Sequence, residues 1–296
     1  MALDGGRFAA TLALAMSGWH FLLLATAVTT LGQEPQAAAP PPKPPDCKSP
    51  TVYVICGAPG DEEHHEAFEK RLAGLRQWFQ QSAGLAPGEV RVYYGPESAG
   101  YAGTATRAGV EGVCREAVQL TQAGQPVWIV VTGHANDAPG DVRFNLPGAD
   151  LSGRDLAKWL EGAATGDAAA PLTIVLTTAC SGRAVKHLAG PKRAVIAATS
   201  AAEPADETVF AECLLGALQD PRSDANKDQT LSLTEIFLAT RAEVLARYKS
   251  RGFILTEHAG LDGDGDGRAT QRPSENDATA AASPLHAIPL KAKPSS

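Results

Sequence analysis

The chain has 296 residues, 44% of them hydrophobic, which is enough for one large core or two small ones. Its formal net charge is −7, it has no block of Lys or Arg, and only 6% of its residues are aromatic. That balance argues against a partner held through its phosphate backbone or by base stacking, so no nucleic-acid role is expected.

Residues 1–32 read as a targeting segment. A short polar start, with Arg7 as its only basic side chain, leads into an almost wholly apolar run from Phe8 to Leu31. The run is long for a signal peptide and about right to span a bilayer. Ala25-Thr26-Ala27 offers a cleavage site, while His20 within the run weakens the anchor reading. Cleaved signal and retained membrane anchor both stay open, with a buried helix as the plain alternative. Either of the first two makes the rest extracytoplasmic, secreted or membrane-anchored. The Pro/Ala-rich residues 33–50 are expected to form an extended spacer. Outside the cytoplasm thiols tend to pair, yet five cysteines (Cys47, Cys56, Cys114, Cys180, Cys213) cannot all pair within one chain. Cys56 and Cys114 sit in apolar patterns typical of small buried residues, and Cys47 lies in the spacer.

From residue 51 onward, TVYVICGA reads as a buried strand. The helix pattern HHEAFEKRLAGLRQWFQQ follows, with Phe68, Leu72, Leu75 and Phe79 on one face. EVRVYYG is a second strand, ATRAGVEGVCREAVQLTQ a second helix and PVWIVVTGH a third strand. DLSGRDLAKWLEG is a third helix opened by a capping-box-like Ser152 and Asp155. PLTIVLTTACSG and RAVIAATSA are strands four and five, followed by the helices VFAECLLGAL and LSLTEIFLATRAEVLARYK. Continuous apolar strands alternating with helices predict an α/β fold, a mostly parallel sheet sandwiched by helices, over residues 51–260.

In such sheets chemistry gathers at the carboxyl ends of strands. Two ends carry reactive side chains: VWIVVT runs into Gly133-His134, and TIVLTT into Ala179-Cys180. If these strands are neighbours, imidazole and thiol emerge at one edge, where the imidazole can take the thiol proton and return it to a leaving amine. Taken singly, each has a plain reading as a buried core residue.

This order, strand-Gly-His then strand-Ala-Cys-Ser-Gly, resembles the cysteine peptidases of the caspase–legumain–gingipain clan. There GHG ends one strand, and AC or SC followed by a small residue and Gly ends the next. VYVICGAPGDEEHHEAF, RFNLPGADLSGRDLAKWL and AVIAATSAAEPADETVF are similar to a bacterial group of legumain-type, caspase-like domains, over roughly residues 51–265. The resemblance implies a caspase/hemoglobinase-like fold and a cysteine endopeptidase acting on protein or peptide. It makes His134 the general base and acid, Cys180 the nucleophile, and the backbone N–H groups of Ala135 and Cys180 an oxyanion hole. Thr199, Ser200 and Glu203 would line the substrate pocket, with Asp61, Glu62 and Glu63 also available. Their acidity favours a Lys or Arg substrate side chain over Asp. Asp61 to Glu63 have the simpler reading of opening a helix, where carboxylates are favoured anyway. His64 and His65 suggest a metal, but adjacent helical residues point to different faces, so a solvated surface is the expected reading there. One departure is GHA for GHG, with Ala135 in place of glycine; another is that some members of the group lack the cysteine. The non-catalytic alternative is a calcium-stabilised scaffold that binds peptides in the same groove.

The calcium reading comes from SDANKDQTLSLTEIF. Asp224, Asn226, Asp228, Thr230, Ser232 and Glu235 occupy positions 1, 3, 5, 7, 9 and 12 of an EF-hand-like loop, with apolar Leu231 at position 8. Gln229 stands at position 6, where the turn usually calls for Gly, and Pro221 interrupts the approach of an entering helix. The plain alternative is an Asp/Asn-rich turn before a capped helix. A further stretch, LDGDGDGRATQRP, has Asp262, Asp264, Asp266 and Gly267 at calcium-loop offsets, but Pro273 at position 12 and Glu275 two residues too late. Residues 261–296 are therefore expected to be an Asp/Gly-rich loop and a disordered tail.

Overall fold

A computed structural model describes residues 48–95, 100–203, 207–283 and 286–291. The targeting segment, nearly all of the spacer and Cys47 lie outside the described residues. Within them no helix is long and apolar enough to cross a membrane.

The main sheet is built from β1 (Thr51–Cys56), β2 (Val90–Tyr94), β3 (Val127–Thr132), β7 (Leu172–Leu176), β8 (Arg193–Ala197) and β10 (Gly260–Asp262). The order across it is β10-β8-β7-β3-β1-β2. All pairings are parallel except β10 against β8. β1, β3 and β7 are buried along their whole length, which is why they read as unbroken apolar runs. Alternate residues of β1 serve opposite cores. Val52, Val54 and Cys56 pack toward α1 (Glu62–Gln81), α5 (Phe210–Gln219) and α6 (Leu233–Ser250). Tyr53 and Ile55 pack toward α2 (Arg107–Gln122), α3 (Gly153–Trp159) and α4 (Val185–Leu188). The expected face of α1 is buried and includes Trp78 as well. Each such side chain contributes about 1.5–3 kcal/mol by leaving water. The predicted capping box at Ser152 and Asp155 opens α3. The thiols of Cys56, Cys114 and Cys213 are buried and pushed up to about 12, chiefly by loss of water.

Two regions depart from expectation. Between β3 and α3 the chain makes a small antiparallel sheet of β4 (Ala135–Ala138), β5 (Asp141–Phe144) and β6 (Leu151–Ser152). Its short strands, ANDA and DVRF, are too polar to signal themselves. The expected disordered tail is also corrected for its described part. Residues 260–262 add β10 to the main sheet, and Ser274 caps α7 (Glu275–Ala281). β11 (Ile288–Pro289) pairs with β9 (Thr230–Leu231), inside the expected calcium loop. Ala281 and Ile288 are fully buried in the core beside α1. Nearby, Trp78 in the last turns of α1 lines a cleft of about 310 Å³ with Asp224, Leu231 and Leu290.

Candidate active site

β3 and β7 are neighbours, so their carboxyl ends share one edge of the sheet. Gly133 turns the chain out of β3 at φ +106°, and a Cβ there would lie 3.1 Å from the Gly57 amide nitrogen. Both constraints call for glycine. His134 follows, its carbonyl accepting from the Asn145 N–H at 3.0 Å. By the alternation of antiparallel ladders, Ala135 then faces Phe144 in a non-bonded pair, with its own N–H directed away from β5. Ala135 is not among the residues with positive φ, so the position that needs glycine is 133 and not 135.

After β7, Thr177 stays on the sheet through its N–H to the Val131 carbonyl at 2.9 Å. Cys180 adopts a left-handed conformation, φ 55° and ψ 7°, and starts a tight turn over Ser181–Arg183. A non-glycine residue held there costs about 1–2 kcal/mol. Thr199 ties the turn down from beneath: its N–H donates to Ser181 Oγ at 3.3 Å, and its hydroxyl oxygen accepts from the Gly182 N–H at 3.4 Å. The two loops predicted to form the site are therefore bound to each other, with Thr199 buried as their link.

Two cavities flank the turn. One, about 480 Å³, is lined by His134, Ala135, Ala179, His64, Glu207 and Arg71, among others. The other, about 710 Å³, is lined by Gly182, Ser200, His258, Arg183, Lys186 and Arg268, among others. Ala179 lines the first and Gly182 the second; Cys180 lies between them in the chain, and its relative exposure is 0%. His134 sits against the Phe68 ring at 5.1 Å and edge-on to His64 at 4.6 Å. Its Nε2 lies 2.8 Å from the Pro59 carbonyl oxygen and its Nδ1 2.8 Å from a Glu207 carboxylate oxygen.

The acidic pocket for a cationic substrate is not what these residues make. Glu203 is buried and turned inward: one carboxylate oxygen accepts the N–H groups of Ser200 at 2.7 Å and His258 at 3.1 Å, and the other pairs with His258 Nδ1. The larger cavity instead presents Arg183, Lys186 and Arg268, and among the described residues no carboxylate lines it. Arg183 is paired with Asp137. Asp61 caps α1, accepting from the His64 N–H at 2.9 Å, and this bond comes first in holding its carboxyl below the usual range. The plain reading of Asp61 to Glu63 therefore describes their place: one cap and two acidic residues in the first turn.

Asp224 to Glu235 fold into a tight loop far down the chain. Asp224 accepts from the N–H groups of Asp228 and Gln229, and Asp228 accepts from the Thr230 N–H and hydroxyl. Glu235 reaches back to the Ala225 N–H at 3.0 Å while completing a capping box with Ser232. Gln229 sits at φ 66°, the strain expected at position 6. No helix enters the loop directly, since α5 stops at Gln219 and a single turn, Pro221–Ser223, intervenes. The stretch from Asp262 repeats the pattern. The acid that folds back onto this loop is Asp277, which accepts the Gly263 N–H at 2.9 Å and whose capping box with Ser274 mirrors that of Ser232 and Glu235. Carboxylate oxygens of Asp262, Asp264 and Asp277 lie within 4.8 Å of one another. Both loops offer hard oxygen ligands alone, the set that suits calcium.

In the sequence His64 carries only a weak metal signal and Glu207 none. The structure brings both to His134, on the edge opened by Gly133. Adjacency of His64 and His65 still separates those two: His65 stacks on Tyr94 and meets its hydroxyl at 2.7 Å.

No protein-family profile matches the sequence, and no curated protein is similar to it. Among solved structures, the crystal structure of drICE, a caspase, is similar with a TM-score of 0.43 and 8% identity, over 68% of this chain and 85% of that one. The α/β class itself stands on the strand order and the helices that cover both faces of the sheet.

Proposed function

We propose that the protein is an exported cysteine endopeptidase that uses His134 and Cys180, with calcium held by Asp224, Asn226, Asp228, Thr230 and Glu235. The observation that carries this reading is the strained, left-handed Cys180 at the end of β7, beside the end of β3 that bears His134. Residues held in sparsely populated backbone regions cluster at active sites, ligand clamps and switch regions. The Pro59 carbonyl can only accept, so the His134 proton belongs on Nε2 and Nδ1 is the basic nitrogen. Once Glu207 swings aside, Nδ1 takes the Cys180 proton and the thiolate attacks the peptide carbonyl. The N–H groups of Ala135 and Cys180 hold the developing oxyanion. The imidazolium then protonates the leaving amine, and water hydrolyses the acyl-thioester. The cationic lining of the larger cavity favours an acidic substrate side chain. The apolar run from Phe8 to Leu31 supports export, as signal or anchor.

Turnover of a fluorogenic peptide library by the full-length chain, with calcium and with chelator, tests the reading beside Cys180→Ala. Cleavage lost in Cys180→Ala supports it. A folded chain that cleaves nothing under any condition sinks it. A second reading, the calcium-stabilised peptide-binding scaffold, is favoured by one specific observation: Cys180 has no exposed surface and both His134 nitrogens are engaged. Rapid alkylation of Cys180 at neutral pH would count against the scaffold.

A further inference from the structure

We propose that His64, His134 and Glu207 form a binding site for a transition-metal ion of the zinc class at the mouth of the candidate active site. The argument begins with protons. The Pro59 carbonyl oxygen cannot donate, so the His134 bond at 2.8 Å places the ring proton on Nε2. The Asp61 carboxylate likewise cannot donate, so its 2.7 Å bond places the His64 proton on Nδ1. The remaining nitrogens, His134 Nδ1 and His64 Nε2, are then lone-pair acceptors in the neutral rings. Both face the same Glu207 oxygen, at 2.8 and 3.4 Å. With both rings neutral, two lone pairs and a carboxylate oxygen converge on one point, a contact that either a second ring proton or a metal ion can bridge.

The geometry fits an ion. All three ligand atoms lie within 4.8 Å of one another. Bonds of about 2.1 Å at tetrahedral angles would separate them by about 3.4 Å, so the 3.4 Å pair is already in place and the 2.8 Å pair must open slightly. Two imidazoles and one carboxylate select zinc-class ions over calcium or magnesium. Each imidazole also has the outer partner that metal-binding histidines characteristically carry: a carboxylate for His64 and a backbone carbonyl for His134. The two rings are firmly mounted, His64 in the first turn of α1 and His134 on Gly133 against Phe68. Glu207, with its side chain 67% exposed, is the ligand free to adjust. Arg71, Arg247 and Arg251 line the same cavity, and Arg71 is paired with Glu212. The fourth position opens into the 480 Å³ cavity, where water or a substrate group can complete the shell.

One consequence rests on the peptidase reading. A metal on His134 Nδ1 occupies the nitrogen assigned to take the Cys180 proton, so the bound ion silences the dyad. The site itself does not depend on that reading. Chelator-treated full-length protein is titrated with Zn²⁺ against a chromophoric chelator, and with Co²⁺ for its tetrahedral absorption. One equivalent is expected to bind, weakened at least tenfold in His64→Ala and in Glu207→Gln and unchanged in His65→Ala. Both ligand side chains are partly exposed, so these variants fold, as circular dichroism will verify. An affinity indifferent to His64→Ala and Glu207→Gln overturns the site. Activity separates the two proposals. Zinc that binds by these residues to a chain inert even when metal-free leaves the site standing and removes the dyad. Turnover by the metal-free chain without zinc binding at these residues does the reverse.

Discussion

Glu257→Gln should make the protein more stable above neutral pH and leave it unchanged in acid. Glu257 is buried, and Oε1 finds no hydrogen-bond partner among the described residues. Oε2 accepts the Val209 N–H at 2.9 Å and the Tyr248 hydroxyl at 3.4 Å. Loss of water outweighs those bonds and pushes the carboxyl from 4.5 up to about 7. Below pH 4.5 the group is protonated in both folded and unfolded chains, and its contribution to stability is fully present. As pH rises toward 7 the unfolded chain releases its proton and the folded chain holds it, so stability falls. The interval is ~2.5 pH units at about 1.36 kcal/mol each, a loss of about 3 kcal/mol. Glutamine is neutral throughout and keeps an oxygen for the Val209 N–H. Denaturant midpoints of both proteins, taken at several pH values with calcium held constant, should coincide near pH ~4 and diverge by about 3 kcal/mol near pH ~8. His286, pushed down to about 4 by burial, titrates in the same range but cancels in the difference between the proteins. A difference flat with pH would refute the reasoning and mean that water or a counter-charge reaches Glu257.

Gly133→Ala should lower stability by about 1–2 kcal/mol, whereas Ala135→Gly should cost about 1 kcal/mol or less; equal losses in thermal unfolding would show that glycine is not specifically needed at 133. Gln229→Gly relieves the left-handed turn in the candidate calcium loop and should tighten calcium about fivefold by calorimetry, from roughly 1 kcal/mol of strain. Glu235→Gln should abolish that binding, and an unchanged isotherm would place the ion elsewhere. Ile288→Ala should destabilise the fold by about 2–4 kcal/mol, because its side chain is wholly buried. An unaltered unfolding midpoint would return the tail to the disordered state expected from its composition.

What the chain discloses in one dimension is its periodicity. β1, β3 and β7 announce themselves because both faces are covered, and α1 because Phe68, Leu72, Leu75 and Phe79 recur at helical spacing. The Gly-His and Ala-Cys strand ends were legible for the same reason: they are where the apolar runs stop. The β4–β6 sheet was not, since its strands are short and carry exposed polar residues at their centres. Asp277 escaped because four further residues separate it from the regular loop spacing, a change that leaves its carboxylate in place through the Ser274 cap. Glu207 and His64 meet at His134 for a reason no local pattern records: the pairing of β1 with β3 brings in His64, and the chain after β8, two strands from β3, brings in Glu207. The tail is anchored by few contacts, among them Ile288 and the His286 bond to Thr173 at 2.7 Å, too sparse to show as periodicity.

Trp78 makes the far end of α1 a natural optical reporter. Its indole is 4% exposed and shares a cleft with Asp224 of the loop and Leu290 of the tail. Its emission should therefore register loop closure and tail release, while the ~21 Å of helix between Trp78 and His64 keeps zinc chemistry from quenching it directly. The difference in emission between the protein and its Trp78→Phe variant, a subtraction that removes the signal of the other three tryptophans, tests the proposed calcium binding, and the proposed peptide turnover can be assayed in the same cuvette.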